Sequence, residues 1–317
     1  MRHILAVVLL GVLIGIAGCQ HKSADVFQVV QRGDVRQLRT LLKAEPECVR
    51  RKEPLRGATP LHFACSGSSD EVCRLLISAG ADVNARDKFG ATPLFWAIMA
   101  RREKAVWLLL QSGASLNVHA MGGATPLHTA AAYCAVTIFE WLLGAGADPK
   151  ARDDLGRTVF HSACMGGCTK ILDRLHPYYR DVNERDTGGN APLHWAAALN
   201  RGECIDWLVR HGADVNVENR GGETPLMFAA AEGAAQAVGR LLAYGAKPNA
   251  RDRQGQTALH KACAARGDKG TGVIGILIKH GARTDIRDAR GRTLLQLARE
   301  RNNLRVVQVL TKYSIKQ

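Results

Sequence analysis

A chain of 317 residues that is 46% hydrophobic and 23% charged has the balance of a folded, water-soluble body, which excludes a disordered polymer. Aromatics at 5% are too few for one large core, so small side chains must carry much of the packing. The formal charge of +14 favours acidic partners or anionic lipid surfaces without naming one.

In chain order, Met1 to His3 supply a short positive start, and Ile4 to Gly18 form an uncharged apolar stretch ending in Ile16-Ala17-Gly18-Cys19. That stretch is too short to span a bilayer and has the size of a secretory leader. Its end resembles the lipobox of bacterial lipoproteins, with Ile16 in place of the usual Leu. The resemblance implies cleavage before Cys19, a signal peptide over residues 1–18, a lipidated tether over 19–24, and acyl chains on Cys19 that hold the protein on a membrane. Gln20 is not the Asp that favours inner-membrane retention in that family, so the expected site is the outer membrane facing the periplasm; an inner-membrane site, an ordinary cleaved leader giving a secreted protein, and an uncleaved N-terminal anchor are the alternatives.

From residue 57 the chain repeats. Gly57-Ala-Thr-Pro-Leu-His62, Gly90-Ala-Thr-Pro-Leu-Phe95, Gly123-Ala-Thr-Pro-Leu-His128 and Gly222-Glu-Thr-Pro-Leu-Met227 share one register, and weaker copies begin at Gly156, Gly189, Gly255 and Gly291. The step is 33 residues six times and then 36. Thr59 and its equivalents suit a helix N-cap, with Pro60 at the first helical position, where a missing amide donor costs nothing. About twenty residues later Gly80, Gly113, Gly146, Gly212, Gly245 and Gly281 follow Leu-rich segments, as a left-handed residue follows a second helix. Ala81-Asp-Val-Asn84 and its copies then lead to Asp87, Asp153, Asp186, Asp252 and Asp288 in a turn.

Period and signature together resemble the ankyrin repeat across residues 25–317. The resemblance implies an all-α repeat solenoid of stacked helix-turn-helix units, each with a β-hairpin finger. The expected units are a cap at 25–56, then 57–89, 90–122, 123–155, 156–188, 189–221, 222–254, 255–290 and 291–317. No unit can bury its apolar faces alone, so stability comes from stacking. His176-Pro-Tyr-Tyr-Arg-Asp-Val-Asn183 replaces the usual helix ending, with Tyr179 where Gly would stand, and a change of curvature is expected there. The three extra residues near Arg266 to Thr271 should make a longer loop.

His62, His128, His161, His194 and His260 recur one unit apart, too far to share a metal ion; the resemblance gives them a structural role, hydrogen bonding loops between repeats. Cys65, Cys164 and Cys263 occupy a small core position held elsewhere by Ala131, Ala197 and Ala230. Cys134 and Cys168 sit in adjacent units at nearly matching positions and form the pair to test for a disulfide, which an exported protein permits. Gly166-Gly167 and Gly188-Gly189 lack the Lys-Ser/Thr of a phosphate loop, and no nucleophile elbow or paired carboxylates stand in a context that would position them. The chain is therefore expected to be no enzyme, with no cofactor, no metal and no small-molecule substrate.

The position after the signature reads Phe63, Trp96, Thr129, Ser162, Trp195, Phe228 and Lys261, and the resemblance turns this helix and the finger tips toward a concave groove. Phe63 with Trp96, and Trp195 with Phe228, then flank a polar centre, and large aromatics are enriched at the centres of interfaces. In ankyrins this residue is alternatively an apolar one partly covered by its neighbours. Finger residues Lys88, Phe89, Met121, Leu155, Arg220, Arg253 and Arg290 mix apolar and cationic character. The expected protein-binding set is Phe63, Lys88, Phe89, Trp96, Trp195, Arg220, Phe228 and Arg253, facing an acidic protein partner with an apolar anchor. An envelope role in which Arg299, Arg301 and Arg305 rest on anionic lipid is the second reading. Nucleic-acid binding is contradicted by the leader and has no groove-reading motif behind it.

Overall fold

The computed structural model describes residues 25–67, 69–265 and 267–314; the leader and Cys19 lie outside the described residues. Helices come in pairs: Val26–Arg32 with Val35–Ala44, Pro60–Gly67 with Asp70–Ser78, Pro93–Met99 with Glu103–Gln111, Pro126–Ala132 with Val136–Gly144, and Val159–Gly166 with Thr169–Leu175. Pro192–Ala198 with Gly202–Arg210, Pro225–Glu232 with Ala235–Ala243, Ala258–Ala264 with Thr271–Lys279, and Leu294–Glu300 with Leu304–Ser314 complete the series. This is an all-α solenoid.

Local chemistry starts and stops each helix. Pro93, Pro126, Pro192 and Pro225 stand in the first turn, where no carbonyl awaits an amide. Thr125 and Thr158 accept from the amides of His128 and His161, and those imidazoles accept in return from the Thr amides, giving reciprocal caps. Second helices end at a left-handed glycine such as Gly80, φ 84°, whose neighbour Ala81 donates back to Leu76 O.

The repeat registers become columns of the core. Leu61, Leu94, Leu127, Phe160, Leu193, Leu226 and Leu259 are buried on the first helices; Leu76, Leu109, Leu142, Leu175, Leu208 and Leu241 are buried on the second. Each such side chain contributes about 1.5–3 kcal/mol, and every one gains that burial from a neighbouring unit as well as its own. Ala64, Ala97, Ala130, Ala163, Ala196, Ala229 and Ala262 line the first helices with small side chains, so these helices approach one another more closely than the second helices do. A stack with one tighter layer curves toward that layer. Cys65, Cys164 and Cys263 fill core positions beside the alanines, and burial pushes the Cys263 thiol up to about 12.

Units are also tied by polar bonds. The Nε2 atoms of His62, His128, His161 and His194 meet the carbonyls of Ala91, Arg157, Asn190 and Glu223 in the next unit at 2.9–3.1 Å. Burial pulls all four imidazoles below their usual pKa, His161 to about 4. Asn84, Asn183, Asn216 and Asn249 each donate to the carbonyl of the left-handed glycine one unit ahead, at 2.8–3.4 Å. Among the described residues the fingers hold one isolated bridge, Arg152 with Thr158, in place of regular strands; each hairpin is a tight turn closed by a bond such as Asp87 N to Ala91 O.

Three departures from the repeat have visible solutions. At the irregular ending, a 3-10 turn over His176–Tyr178 takes the place of a last helical turn, and buried Tyr179 donates its hydroxyl to Pro149 O at 2.6 Å. The three-residue insertion is no free loop: Gly267–Gly270 forms a 3-10 turn pressed on the helices beside it, where a Cβ on Gly270 would lie 1.9 Å from Ala262 O. Cys134 and Cys168 form a disulfide with Cα atoms 5.3 Å apart. Cys134 takes a left-handed φ of 52° in the register where Gly167 and Gly233 stand, and it projects its sulfur toward the next unit.

Candidate functional site

The fingers are built around a buried aspartate. Asp87 Oδ1 accepts from the amides of Phe89 and Ala91, both at 2.9 Å, and closes the turn. Its second oxygen accepts from Trp96 Nε1 at 3.1 Å. The arrangement recurs at Asp186, which receives Trp195 Nε1 at 3.0 Å, and at Asp252, which receives Lys261 Nζ at 2.7 Å. Asp153 and Asp288 take Arg157 and Arg292 instead, from their own fingers. A buried carboxylate needs a donor on each oxygen, and the position after the signature supplies it in three units. Burial alone would pull the Lys261 ammonium down, but the carboxylates of Asp252 and Glu223 outweigh it and leave it above its usual range.

This places the expected aromatics differently from one another. Trp96 and Trp195 are only 9% and 8% exposed, with Arg56 and Arg157 covering the rings at 5.8 and 5.6 Å. They are finger clamps first. Phe63 and Phe228 are half-buried; Phe63 meets Trp96 edge-on at 5.3 Å and Phe228 meets Trp195 at 6.5 Å. The structure adds Phe27 of the first pair, 5.6 Å from Phe63, so that the N-terminal aromatic row has three members. Its unit lacks the repeat signature, which is why register alone did not reach it.

The finger tips are tied into one line. Lys88 N donates to Arg56 O, Met121 N to Phe89 O, Asp154 N to Gly122 O, Thr187 N to Leu155 O, Arg220 N to Gly188 O, Arg253 N to Gly221 O and Ala289 N to Gln254 O. Each tip is thereby bonded to the one before it. Just below, Arg86, Arg152, Arg185 and Arg251 reach the carbonyls of His119, Arg185, Glu218 and Arg287, so these cations serve the stack. Lys88 is likewise engaged, with Nζ 2.6 Å from Pro54 O. Arg220, Arg253 and Arg290 are exposed, and their guanidinium groups hold no hydrogen bond or ion pair among the described residues. Leu55, Phe89, Met121 and Leu155 are 85%, 42%, 63% and 50% exposed at the tips of the first four fingers.

A second exposed feature lies on the other layer. Trp107, 49% exposed, meets Trp141 edge-on at 5.5 Å, and both line an open cleft with Arg74, Glu103, Lys104 and Leu108. The pair comes from consecutive second helices at positions one register apart, the same offset that joins Cys134 and Cys168, and lies outside the repeat signature. Nearby, His211 stacks on Trp207 at 3.7 Å, and Trp207 Nε1 donates to Asp173 at 2.7 Å, which closes the surface over the irregular ending. Among the described residues no three His, Cys, Asp or Glu side chains gather as a metal site, and no helix is long and apolar enough to cross a membrane.

Comparison with known families agrees with the architecture. The family model for ankyrin repeats in three copies matches residues 26–120 and 127–219. Models for ankyrin repeats in many copies and for the single repeat match 208–262 and 254–289. No curated protein sequence matches the chain.

Proposed function

Since the chain belongs to the ankyrin-repeat family, whose repeats imply a role in protein–protein interaction, we propose that it is a lipid-tethered envelope scaffold that binds a protein partner along its fingers and concave face. The observation that carries this reading is the line of finger tips. Seven inter-finger backbone bonds make it rigid, and it presents four exposed apolar side chains and three arginines unpaired among the described residues. A surface fixed before binding loses little conformational freedom on association, and exposed apolar side chains in contiguous units need a cover. Phe63 and Phe228 extend the surface onto the first helices, while Trp96 and Trp195 hold the fingers in place behind it. No chemistry is assigned: the buried imidazoles and carboxylates are engaged in structural bonds, and ankyrin-repeat proteins are typically non-enzymatic scaffolds.

The tether reading rests on Ile16-Ala17-Gly18-Cys19 behind an apolar leader. A disulfide between Cys134 and Cys168 supports it, because such bonds persist in oxidising compartments such as the bacterial periplasm. We place the protein on the outer membrane facing the periplasm, with lipid on Cys19.

Two experiments test the proposal. Crosslinking in intact cells, read by mass spectrometry, should join a partner to the native chain and lose it when Phe89, Met121 and Leu155 become Ser; an unchanged crosslink would move the site off the fingers. Labelled palmitate should enter the native chain and fail to enter Cys19→Ser; equal labelling of both would end the tether reading.

A further inference from the structure

The tips are not uniform along the array. Leu55, Phe89, Met121 and Leu155 occupy four consecutive fingers, at one or the other of two adjacent tip positions. Beyond the finger of Thr187 and Gly188, the same two positions carry Arg220, Arg253 and Arg290 on three consecutive fingers. Arg56 and Lys88 share these positions with Leu55 and Phe89 in the first two fingers, but Arg56 covers the Trp96 ring and Lys88 Nζ meets Pro54 O. The apolar side chains and the uncommitted cations therefore form separate blocks.

Most other cations near the array have a named duty. Arg157, Arg292 and Lys261 neutralise finger aspartates, Arg240 pairs with Asp206, and Lys269 with Glu232. Against that background, three adjacent finger arginines without a partner among the described residues form the charged end of the line. Glu218, two residues before Arg220, does not pair with it. Exposed Asp154 stands at the apolar end, where it would repel an acidic ligand.

We propose that the occupant of the fingers is a single peptide segment of a protein partner with fixed polarity, apolar where it crosses the first four fingers and acidic where it crosses the last three. This rests on the reading that the fingers bind protein. Neighbouring units stack at about 10 Å and an extended chain advances about 3.4 Å per residue, so a segment reaching from Leu55 to Arg290 needs roughly 20 residues. The array reads the order of the two blocks as well as their presence. A segment of the same composition in the opposite sense places carboxylates over Leu55 and Met121 beside Asp154, and leaves the arginines facing apolar groups.

The test is a display library of random 24-residue peptides panned on the full chain at low salt. The enriched peptides should gather apolar residues in one half and Asp or Glu in the other. A photo-crosslinker in the apolar half should label the fingers around Met121, and one in the acidic half should label those around Arg253. Arg220→Glu, Arg253→Glu and Arg290→Glu combined should weaken the best peptide by about tenfold or more and remove its salt dependence, since each exposed charge pair contributes modestly. Leu55→Ser with Met121→Ser should weaken it while leaving the salt dependence in place. All five side chains are exposed, so the circular dichroism of the variants should match that of the native chain.

Peptides that crosslink to the fingers without block polarity, or in reversed order, would overturn this inference and leave finger binding standing. Peptides that crosslink around Trp107, or no enrichment at all, would overturn both. Anionic vesicles or RNA that bind in an arginine-dependent way while no peptide enriches would assign the arginines to that surface and likewise end the proposal.

Discussion

Acidification tests the histidine register, and His161 supplies the magnitude. Its Nδ1 accepts from Thr158 N at 3.2 Å, so in the native tautomer Nε2 carries the hydrogen that it donates to Asn190 O at 3.1 Å. Protonation would set a hydrogen on Nδ1 against the Thr158 amide hydrogen. Burial is the main cause that lowers this imidazole from 6.5 to about 4, against the raising effect of the bond to Asn190. Between those values the unfolded chain binds a proton that the native chain refuses. Stability is therefore full above about pH 6.5 and is lost as pH falls toward 4; at pH 4.5 the loss from this residue is about 2.5 kcal/mol. His161→Gln isolates it. The chain already uses that cap at Thr293, whose amide donates to Gln296 Oε1 at 2.8 Å, so the variant keeps the helix start and forfeits only the bond to Asn190. At pH 7.5 it should be about 1 kcal/mol less stable than the native protein. At pH 4.5 it should be about 1.5 kcal/mol more stable, because the remaining histidines titrate in both chains and cancel. Urea midpoints by circular dichroism at constant ionic strength, with unchanged m, measure this crossover. Parallel loss of stability in the two chains would refute the assignment.

Thr224 Oγ1 is buried without a partner because Met227 stands where other units have His; Met227→His should cap it and reach Gln256 O in the next unit, raising stability by about 1 kcal/mol at pH 7.5, read from the urea midpoint. Trp96→Phe removes the donor to buried Asp87 and should cost about 2 kcal/mol, while Trp107→Phe on the exposed pair should change stability by less than about 0.5 kcal/mol; equal effects would contradict the clamp role. Cys168→Ser opens a 34-residue link and should lower stability by about 3–4 kcal/mol on the chain-entropy account. If dithiothreitol lowers the melting temperature of the native protein but leaves that of Cys168→Ser unchanged, the loss belongs to the bridge.

How far the sequence could be read follows from the range of each interaction. Thr125, Pro126 and His128 define a helix start within four residues, Leu127 and Ala130 its buried face, and Gly146 the end of the following helix. These signals are local and recur, so period and signature, through the ankyrin resemblance they carry, indicated an all-α stack, the buried place of Cys65 and Cys164, and the ties that His62, His128, His161 and His194 make between repeats. His260 is buried in the same register, but its Nε2 finds no partner among the described residues. The juxtaposition of Cys134 and Cys168 was also legible, because nearly matching registers in adjacent units are neighbours in space.

Which surface side chains are engaged and which are free is a different matter, and there only the tertiary structure decided. Trp96 and Trp195 carry the composition of an interface, yet each indole turns inward because the finger folds back and leaves a carboxylate needing a donor. Lys88 and Arg253 occupy one register, but the first finds Pro54 O and the guanidinium of the second finds no partner among the described residues. Trp107 and Trp141 stand at the same offset as the two cysteines, but only the folded chain shows that Trp107 stays half exposed beside its partner. Periodicity records which positions stack; it does not record the hydrogen-bond valence of the groups that meet there, and that valence separates a structural cation or indole from one left for a partner.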